Sequence, residues 1–258
     1  MGNGNVLYLQ DCYLKEFEAE VNKAENKDEK SQFVILDQTA FYPDSGGQPY
    51  DTGIMTRLSD GRTFKVVYVG KFSGNIPHEV EKPEGSEGDG SAVPRSELKP
   101  GDKVKCSIDW DRRQVFMRYH TADHVLTRVI INHTGAKITG NQISLEKSRV
   151  DFDLEDFDRE AFQGYVKEAN EILSRSIPVK KYFMPMEEAM KNPDLFQLKD
   201  KLPPNLKQLR IVQVGQPAFD TSACGGCHVD NTSEIGRIEI IKMENKGKNN
   251  RRIYFRLV

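Results

Sequence analysis

The chain has 258 residues, 37% hydrophobic and 29% charged, with 37 Lys+Arg against 39 Asp+Glu and a formal net charge of −2. That is enough apolar material to bury a core and room for one large or two modest domains, but too little positive charge for a protein that binds nucleic acid over its whole surface. No apolar run nears the ~20 residues that span a bilayer, the N-terminus lacks the basic and apolar regions of a secretory signal, and four cysteines are too few for a disulfide scaffold, so the expected setting is a reducing cytoplasm.

In chain order, residues 6–9, 33–36, 64–69 and 104–108 are rich in β-branched and aromatic side chains and are expected to be strands. The polar stretch 22–31 reads as a solvated hairpin tip or loop. Residues 85–100, rich in Gly, Ser, Pro and acid, read as a flexible loop. Short strands between Gly-rich turns predict a small β-barrel over residues 1–109. The pattern changes at Trp110. With Asp111 as N-cap and Gly135 as stop, a helix is predicted over 112–134, its apolar positions including Val115, Met117, Val125, Leu126, Val129 and Ile130. A second helix is expected near 159–174, with Phe162, Val166, Ala169, Ile172 and Leu173 on one face. Strands are expected over 179–183 and 210–214, and a hairpin over 235–243 and 252–258. Residues 110–258 are thus expected to form a mixed α/β domain, and the fold class is α+β.

Cys12 and Cys106 are isolated and read as small buried hydrophobes. The other two cysteines sit in a cluster that needs a chemical explanation. His120 and His124 are four apart on the predicted helix, so they project from one face and can chelate one metal ion. Cys224 and His228 are also four apart, on a Gly-rich turn that lets a thiolate and an imidazole converge. Together they make four N/S ligands, the tetrahedral preference of zinc. A c-type haem signature, C-x-x-C-H, leaves His120 and His124 idle and needs export. A zinc-peptidase H-E-x-x-H lacks its Glu, because Thr121 follows His120. Cys227 reads as a buried thiol beside the site. Four protein ligands fit a closed structural site, whereas Thr121, Asp123, Asp230 and Thr232 nearby in sequence fit a site that handles a polar substrate. The residues alone leave both open.

Three separated motifs carry a family resemblance. HTADHVL from His120 and CGGCHV from Cys224 resemble the zinc motifs of alanyl-tRNA editing domains. FYPDSGGQPYDTG from Phe41 is similar to the glycine-rich segment that precedes them in alanyl-tRNA synthetases and in freestanding editing proteins of AlaX type. Glu234-Ile235-Gly236 fits the segment after the second motif. The resemblance runs from Leu9 to the C-terminus, and the length and Gly-Gly motif are like the medium-length AlaX class. Two positions depart from it: Cys227 stands where the family commonly has Thr, and Asp123 where it often has an apolar or uncharged residue. No segment resembles the aminoacylation domain that binds ATP and alanine.

The resemblance implies an N-terminal β-barrel followed by a zinc-containing α+β editing domain, with one Zn2+ on His120, His124, Cys224 and His228. It implies a hydrolase acting in trans on the acceptor end of tRNA(Ala) that carries serine or, second, glycine. A pocket made for alanine cannot strongly reject an isostere that adds a hydroxyl, which is why a second sieve is needed. Thr139, Asn141 and Gln142 lie where the family builds its amino-acid pocket, and Gly46 and Gly47 are implicated in handling seryl and glycyl esters. No general base presents itself. A zinc-stabilised tRNA-binding module without catalysis is the alternative, and an editor of another misacylated tRNA a weaker third reading. Lys242, Lys246, Lys248, Arg251, Arg252 and Arg256, against Glu244 alone within 242–256, form a basic hairpin expected to meet tRNA phosphates.

Overall fold

Alternation of side chains along an extended chain decides the first unit. In β1 (Glu16–Asn26) Phe17, Ala19 and Val21 are buried while Glu16, Glu18 and Glu20 face water. β2 (Ser31–Leu36), β3 (Gly53–Arg57), β4 (Thr63–Val69), β5 (Pro77–Glu81) and β6 (Lys103–Ile108) join it in a closed antiparallel barrel of order β1-β2-β5-β4-β3-β6. Val34, Met55, Phe64, Val66, Val80, Val104 and Cys106 fill it without exposure. Closure removes the edges that an open sheet of this length would present. The computed structural model describes residues 5–83, 97–155, 158–196, 206–216 and 218–258. Most of the expected 85–100 loop lies outside the described residues.

The chain divides into two compact units, Met1–Ser45 with Pro49–Arg113 and Gly46–Gln48 with Gln114–Val258. The first holds a fully buried ion pair, Arg113 with Asp51. Arg113 Nε lies 3.0 Å from each carboxylate oxygen, its Nη1 donates to Cys12 O at 2.9 Å and its Nη2 to Ala40 O at 2.6 Å. The backbone N–H of Tyr42 donates to the same carboxylate at 2.6 Å. A buried guanidinium is tolerable only when its donors find acceptors in this way.

The long helix α1 (Trp110–Thr134), which belongs to the second unit from Gln114 on, is buried there on most sides, with Phe116, Met117, Ala122, Val125, Leu126, Val129 and Ile130 enclosed and Val115 half-buried. After it come β7 (Ile138–Ile143), β8 (Ser148–Phe152), α2 (Arg159–Leu173), β9 (Val179–Pro185), the single turn α3 (Met186–Ala189), β10 (Gln208–Val214), β11 (Asp220–Ala223), β12 (Ile238–Asn245) and β13 (Arg251–Leu257). These strands make a three-stranded sheet, β11-β10-β9, and a four-stranded one, β12-β13-β8-β7, both antiparallel. Asp158 caps α2 by accepting from Glu160 N and Ala161 N, and Phe162, Ala169, Ile172 and Leu173 form its buried stripe. No helix among the described residues is long and apolar enough to cross a membrane.

Several sequence expectations are corrected. Residues 6–9 are not a strand: Leu7–Leu9 is one 3-10 turn, and Val6 makes only an isolated bridge to Thr39. The polar stretch 22–31 is strand as far as Asn26, because its backbone pairs with β2 whatever its side chains are; only 27–30 turns, held by Asp28 accepting from Lys30 N and Ser31 N at 2.8 Å each. Asp109, not Asp111, caps α1, accepting from Arg112 N at 3.3 Å. Ile235 closes a 3-10 turn, and its strand begins only at Ile238.

His78, on β5, sits unexposed in the barrel core. Its Nδ1–H donates to Val34 O at 3.2 Å. The Thr39 hydroxyl, which accepts from Phe41 N, donates to its Nε2 at 2.9 Å. This arrangement suits a neutral ring, and burial pushes the imidazole down from 6.5 to about 4. Between those two values the unfolded chain holds the proton and the folded chain does not. The stability His78 contributes by staying neutral is therefore complete above pH 6.5 and is lost as pH falls toward 4, about 3 kcal/mol in full. Calorimetric unfolding at pH 7 and pH 5 should show a loss about 2 kcal/mol larger in the parent protein than in His78→Asn. Equal losses would assign the acid sensitivity to other groups.

Candidate metal centre

α1 carries His120 and His124 one turn apart, with Thr121 and Asp123 on the same buried stretch. β11 runs out at Ala223 into the Cys-Gly-Gly-Cys-His loop. Arg210 of β10, itself buried, shapes that loop by donating to Cys224 O at 3.0 Å and Gly226 O at 2.8 Å. A Cβ on Gly226 would stand 2.0 Å from the His120 ring, so glycine is required for the loop to close on the helix. The result brings together all four expected ligands. His120, His124, Cys224 and His228 offer ligand atoms within 4.8 Å of one another, and the group could hold a metal ion. Cys224 Sγ is 3.5 Å from His120 Nε2 and 3.3 Å from His228 Nε2.

Each imidazole is held from behind through Nδ1. His120 Nδ1 meets Gln48 Oε1 at 2.8 Å, His124 Nδ1 meets Asp220 Oδ2 at 3.0 Å, and His228 Nδ1 meets Thr121 Oγ1 at 3.1 Å. Occupying Nδ1 leaves Nε2 as the ligand atom and fixes the ring plane, as partners behind metal-binding histidines commonly do. Asp220 is itself fixed by Arg128 Nε at 2.7 Å and by the Ser222 hydroxyl at 2.9 Å. Gln48 also accepts from the Cys227 backbone N–H at 3.0 Å.

Protonation follows from this crowding. Burial opposes a Cys224 thiolate, but attraction to His120 and His228 outweighs it and holds the thiol well below its ordinary range. Burial, with His120 beside it, holds His228 well below the ordinary imidazole value. Burial also opposes a charged His124, but Asp220 and Cys224 overcome it and raise that ring to about 10. A thiolate and a neutral imidazole are the forms a metal ligand must take, and occupation of the centre would displace the remaining proton from His124 Nε2.

Of the other polar residues singled out in the sequence, only Thr121 touches a ligand among the described contacts. Asp123 turns to the Ser148 hydroxyl, 2.9 and 3.0 Å from its two oxygens, and burial pushes its carboxyl up to about 8. Asp230 pairs with Lys181, and Thr232 accepts from Ile177 N. Cys227 is fully buried and is not one of the four grouped donors. Gln48 and Asp220 escaped sequence reading. Asp220 had a signal: it and Ser222 alternate along β11, which places them on one side, and Cys224 follows the strand's last residue.

Residues expected at an amino-acid pocket divide. Gly46 and Gly47 both have positive φ, and a Cβ on Gly47 would lie 2.5 Å from Asn141 Oδ1. Asn141 Nδ2 reaches Gly46 O at 3.4 Å, and Ile143 N donates to Gly47 O at 2.8 Å. Gly46 and Gly47 thus form a turn packed against Asn141 of β7. Thr139 and Gln142 are exposed, and Gln142 faces away from Asn141.

The basic hairpin is less free than its charge count. Arg252 forks onto Asp151, its register partner on β8, at 2.7 and 2.8 Å, and Arg256 pairs with Glu239 across β12 at 2.8 Å. Arg251 is buried and donates to Gly247 O at 2.9 Å and Lys248 O at 3.2 Å, closing the hairpin on itself. Lys242 and Lys246 share Glu244. For Lys248 no ion pair is found among the described residues.

Residues 7–112 match the family model described as tRNA synthetases class II (A), and residues 209–254 match the threonyl and alanyl tRNA synthetase second additional domain. The chain is 50% identical to the alanyl-tRNA editing protein AlaX-M of Methanosarcina barkeri over 253 residues, 98% of each chain. It is 40% identical to the AlaX-M protein of Saccharolobus solfataricus over 250 residues, 96% of this chain and 97% of that one. It is also 34% identical to the alanine–tRNA ligase of Pyrococcus furiosus over 241 residues, 92% of this chain but 24% of the ligase.

Elemental analysis of the purified protein should find about one metal equivalent per chain. Cys224→Ala should lose most of it, because a thiolate ligand is gone, while Cys227→Ala should keep it. The reverse pattern would move the thiolate ligand to Cys227.

Proposed function

Because the chain belongs to the AlaX-M family of alanyl-tRNA editing proteins, we propose that it is a hydrolase that edits mischarged tRNA(Ala) in trans, removing chiefly serine and secondarily glycine. The observation that carries this reading is the convergence of four N/S donors, one of which, His120, bonds Gln48, the residue next to the Gly46–Gly47 turn on which Asn141 packs. We take the metal to be zinc, on His120, His124, Cys224 and His228. A tetrahedral zinc with bonds of about 2.0–2.1 Å to nitrogen and 2.3 Å to sulfur spaces N and S by about 3.6 Å. The spacings of 3.5 and 3.3 Å at Cys224 support that ion. When bound, zinc supplies Lewis acidity beside the ester.

The chain's own residues supply orientation and choice. Gln48, Asp220 and Thr121 hold the three rings. Among the pocket residues Thr139, Asn141 and Gln142, Asn141 has the strongest support, because its amide lies against the positive-φ turn of Gly46 and Gly47. An amide there can hydrogen-bond the hydroxyl of serine, and alanine would leave it unpaired, which is how a polar site discriminates where an apolar one cannot. Lys242, Lys246 and Lys248 are proposed to meet tRNA phosphates. Arg251, Arg252 and Arg256 serve the hairpin first, by their pairings.

One observation favours a second reading. Four protein donors can fill a tetrahedral ion by themselves, which is the pattern of a structural centre, and a zinc-stabilised tRNA-binding module would look the same there.

Deacylation assays separate the two. Seryl-tRNA(Ala) should lose its ester at least about tenfold faster than alanyl-tRNA(Ala), the factor that one well-placed hydrogen bond supplies. Equal rates would mean an unselective esterase, and tRNA binding without cleavage would favour the module. Lys246→Glu with Lys248→Glu should weaken tRNA binding and flatten its dependence on log salt by about 2, with metal content unchanged. An unchanged slope would place the tRNA on another face.

A further inference from the structure

The outer face of the four-stranded sheet carries cations that lie outside the β12–β13 hairpin. On β8, Ser148, Val150 and Phe152 point inward, where the Ser148 hydroxyl meets Asp123 of α1, so Arg149 points outward. Register sets Arg149 between Gln142 of β7 and Tyr254 of β13, and Tyr254 beside Lys242 of β12. The row Gln142, Arg149, Tyr254, Lys242 therefore crosses all four strands on one face, at about 4.8 Å per strand. Lys147, two residues before Arg149, lies over the same face, with Nζ 5.5 Å from the centre of the Tyr254 ring.

The cations of this face differ in what neutralises them. Arg252 has Asp151, Arg256 has Glu239 and Lys242 has Glu244. Arg149 has neither an ion pair nor a hydrogen bond among the described residues, and the residues opposite it on both neighbouring strands are uncharged. Its Nε is buried and unpaired, whereas its two Nη atoms, equally without partners, are not buried. The stem is thus packed while the end of the fork meets solvent, and the side chain as a whole is half-buried. Lys147 is exposed, and no ion pair is found for it among the described residues. A guanidinium partly withdrawn from water with no anion beside it costs stability, and an arriving anion offsets that cost. A stem already held in place also reduces the ordering that binding requires.

We propose that Arg149 and Lys147, with the Gln142 amide beside them, form a subsite for backbone phosphates of the tRNA, a role that rests on the editing reading above. The exposed end of an arginine fork matches two oxygens of one phosphate, and an ammonium adds charge without demanding a geometry. The other members of the row are an amide and a phenol. Phosphate contacts need no apolar anchor, whereas the core of a protein interface is built on one. Asn141 and Gln142 are consecutive on β7, which stands at one end of the sheet, and they face opposite sides of it. An ester held at Asn141 therefore brings the adjoining RNA strand to the rim where the row begins. Contacts of this kind hold the RNA in position and read no bases.

The salt dependence of tRNA affinity tests this. Arg149→Gln should weaken binding of uncharged tRNA(Ala) about tenfold, the loss of a charge-assisted hydrogen bond. It should also lower the slope of log affinity against log salt by about 0.7–0.9, one phosphate contact. Arg149→Lys, which keeps the charge, should keep the slope, and Lys147→Gln should lower it as Arg149→Gln does. An unrelated tRNA should show the same changes in slope, and metal content should stay at the parent level. An unchanged slope in Arg149→Gln overturns the proposal. So does an equal loss in Arg149→Lys, which would come from disturbed packing of the stem. Parent-like tRNA binding with lost binding of polyglutamate would give the face to an acidic protein and overturns it too. If Arg149→Gln does not fold, the exposed Lys147 decides: a parental slope in Lys147→Gln overturns the subsite. A parent that binds tRNA but cleaves no ester removes the editing reading, while the slopes still judge the row. An active parent whose variants keep its slope removes this inference alone.

Discussion

An imidazole has two nitrogens, and a cluster of three can face one point only if something else occupies the second nitrogen of each. That constraint organises the second unit. Gln48, Asp220 and Thr121 take the Nδ1 positions, and all three partners are themselves buried. Each partner is fixed in turn: Gln48 by Cys227 N–H, Asp220 by Arg128 and Ser222, and Thr121 by Met117 O at 3.0 Å. The burial of α1 follows from the same need. A helix can carry two histidines, a threonine and an aspartate into an interior only where the surrounding sheets and loops return a partner for each.

The grouping of the four candidate donors was legible in the sequence because two short-range pairs at spacing four are chemically specific. Their supports were not, because Gln48 and Asp220 are ordinary residue types whose meaning comes from tertiary contact at separations of 72 and 96 residues. The barrel was legible in part for a parallel reason. β2, β4 and β6 announce themselves through Val, Ile and Phe. β1 has glutamate at every second position in its first half and polar residues beyond, so only Phe17, Ala19 and Val21 mark its buried side. β5 has five residues and begins with Pro77. In such strands, pairing with neighbours decides the structure and local preference contributes little.

The hairpin of β12 and β13 illustrates the same limit for charge. Between Lys242 and Arg256 the chain shows six cations and one acid. In the sheet, Asp151 lies opposite Arg252 and Glu239 opposite Arg256, so cross-strand neighbours contribute the missing negative charge. Arg251 donates to carbonyls of its own turn, Gly247 and Lys248, and also to the carbonyl of Glu155, and so works as a structural pin. Electrostatic reach toward an anion therefore concentrates on Lys242, Lys246 and Lys248, which have only Glu244 between them as an ion-pair partner among the described residues.

Residues Gly46–Gln48 lie between two stretches of the barrel unit in sequence but belong to the compact unit that holds the candidate metal centre. That excursion makes the second unit discontinuous. A fragment beginning at residue 110 or 114 would contain every ligand, yet His120 would be without its acceptor and Asn141 would lack the turn it packs on. The two units can be told apart in space without being separable by a single cut. Recombination that exchanged one and not the other would carry off three residues of the centre, so the pair can be inherited or transplanted only together.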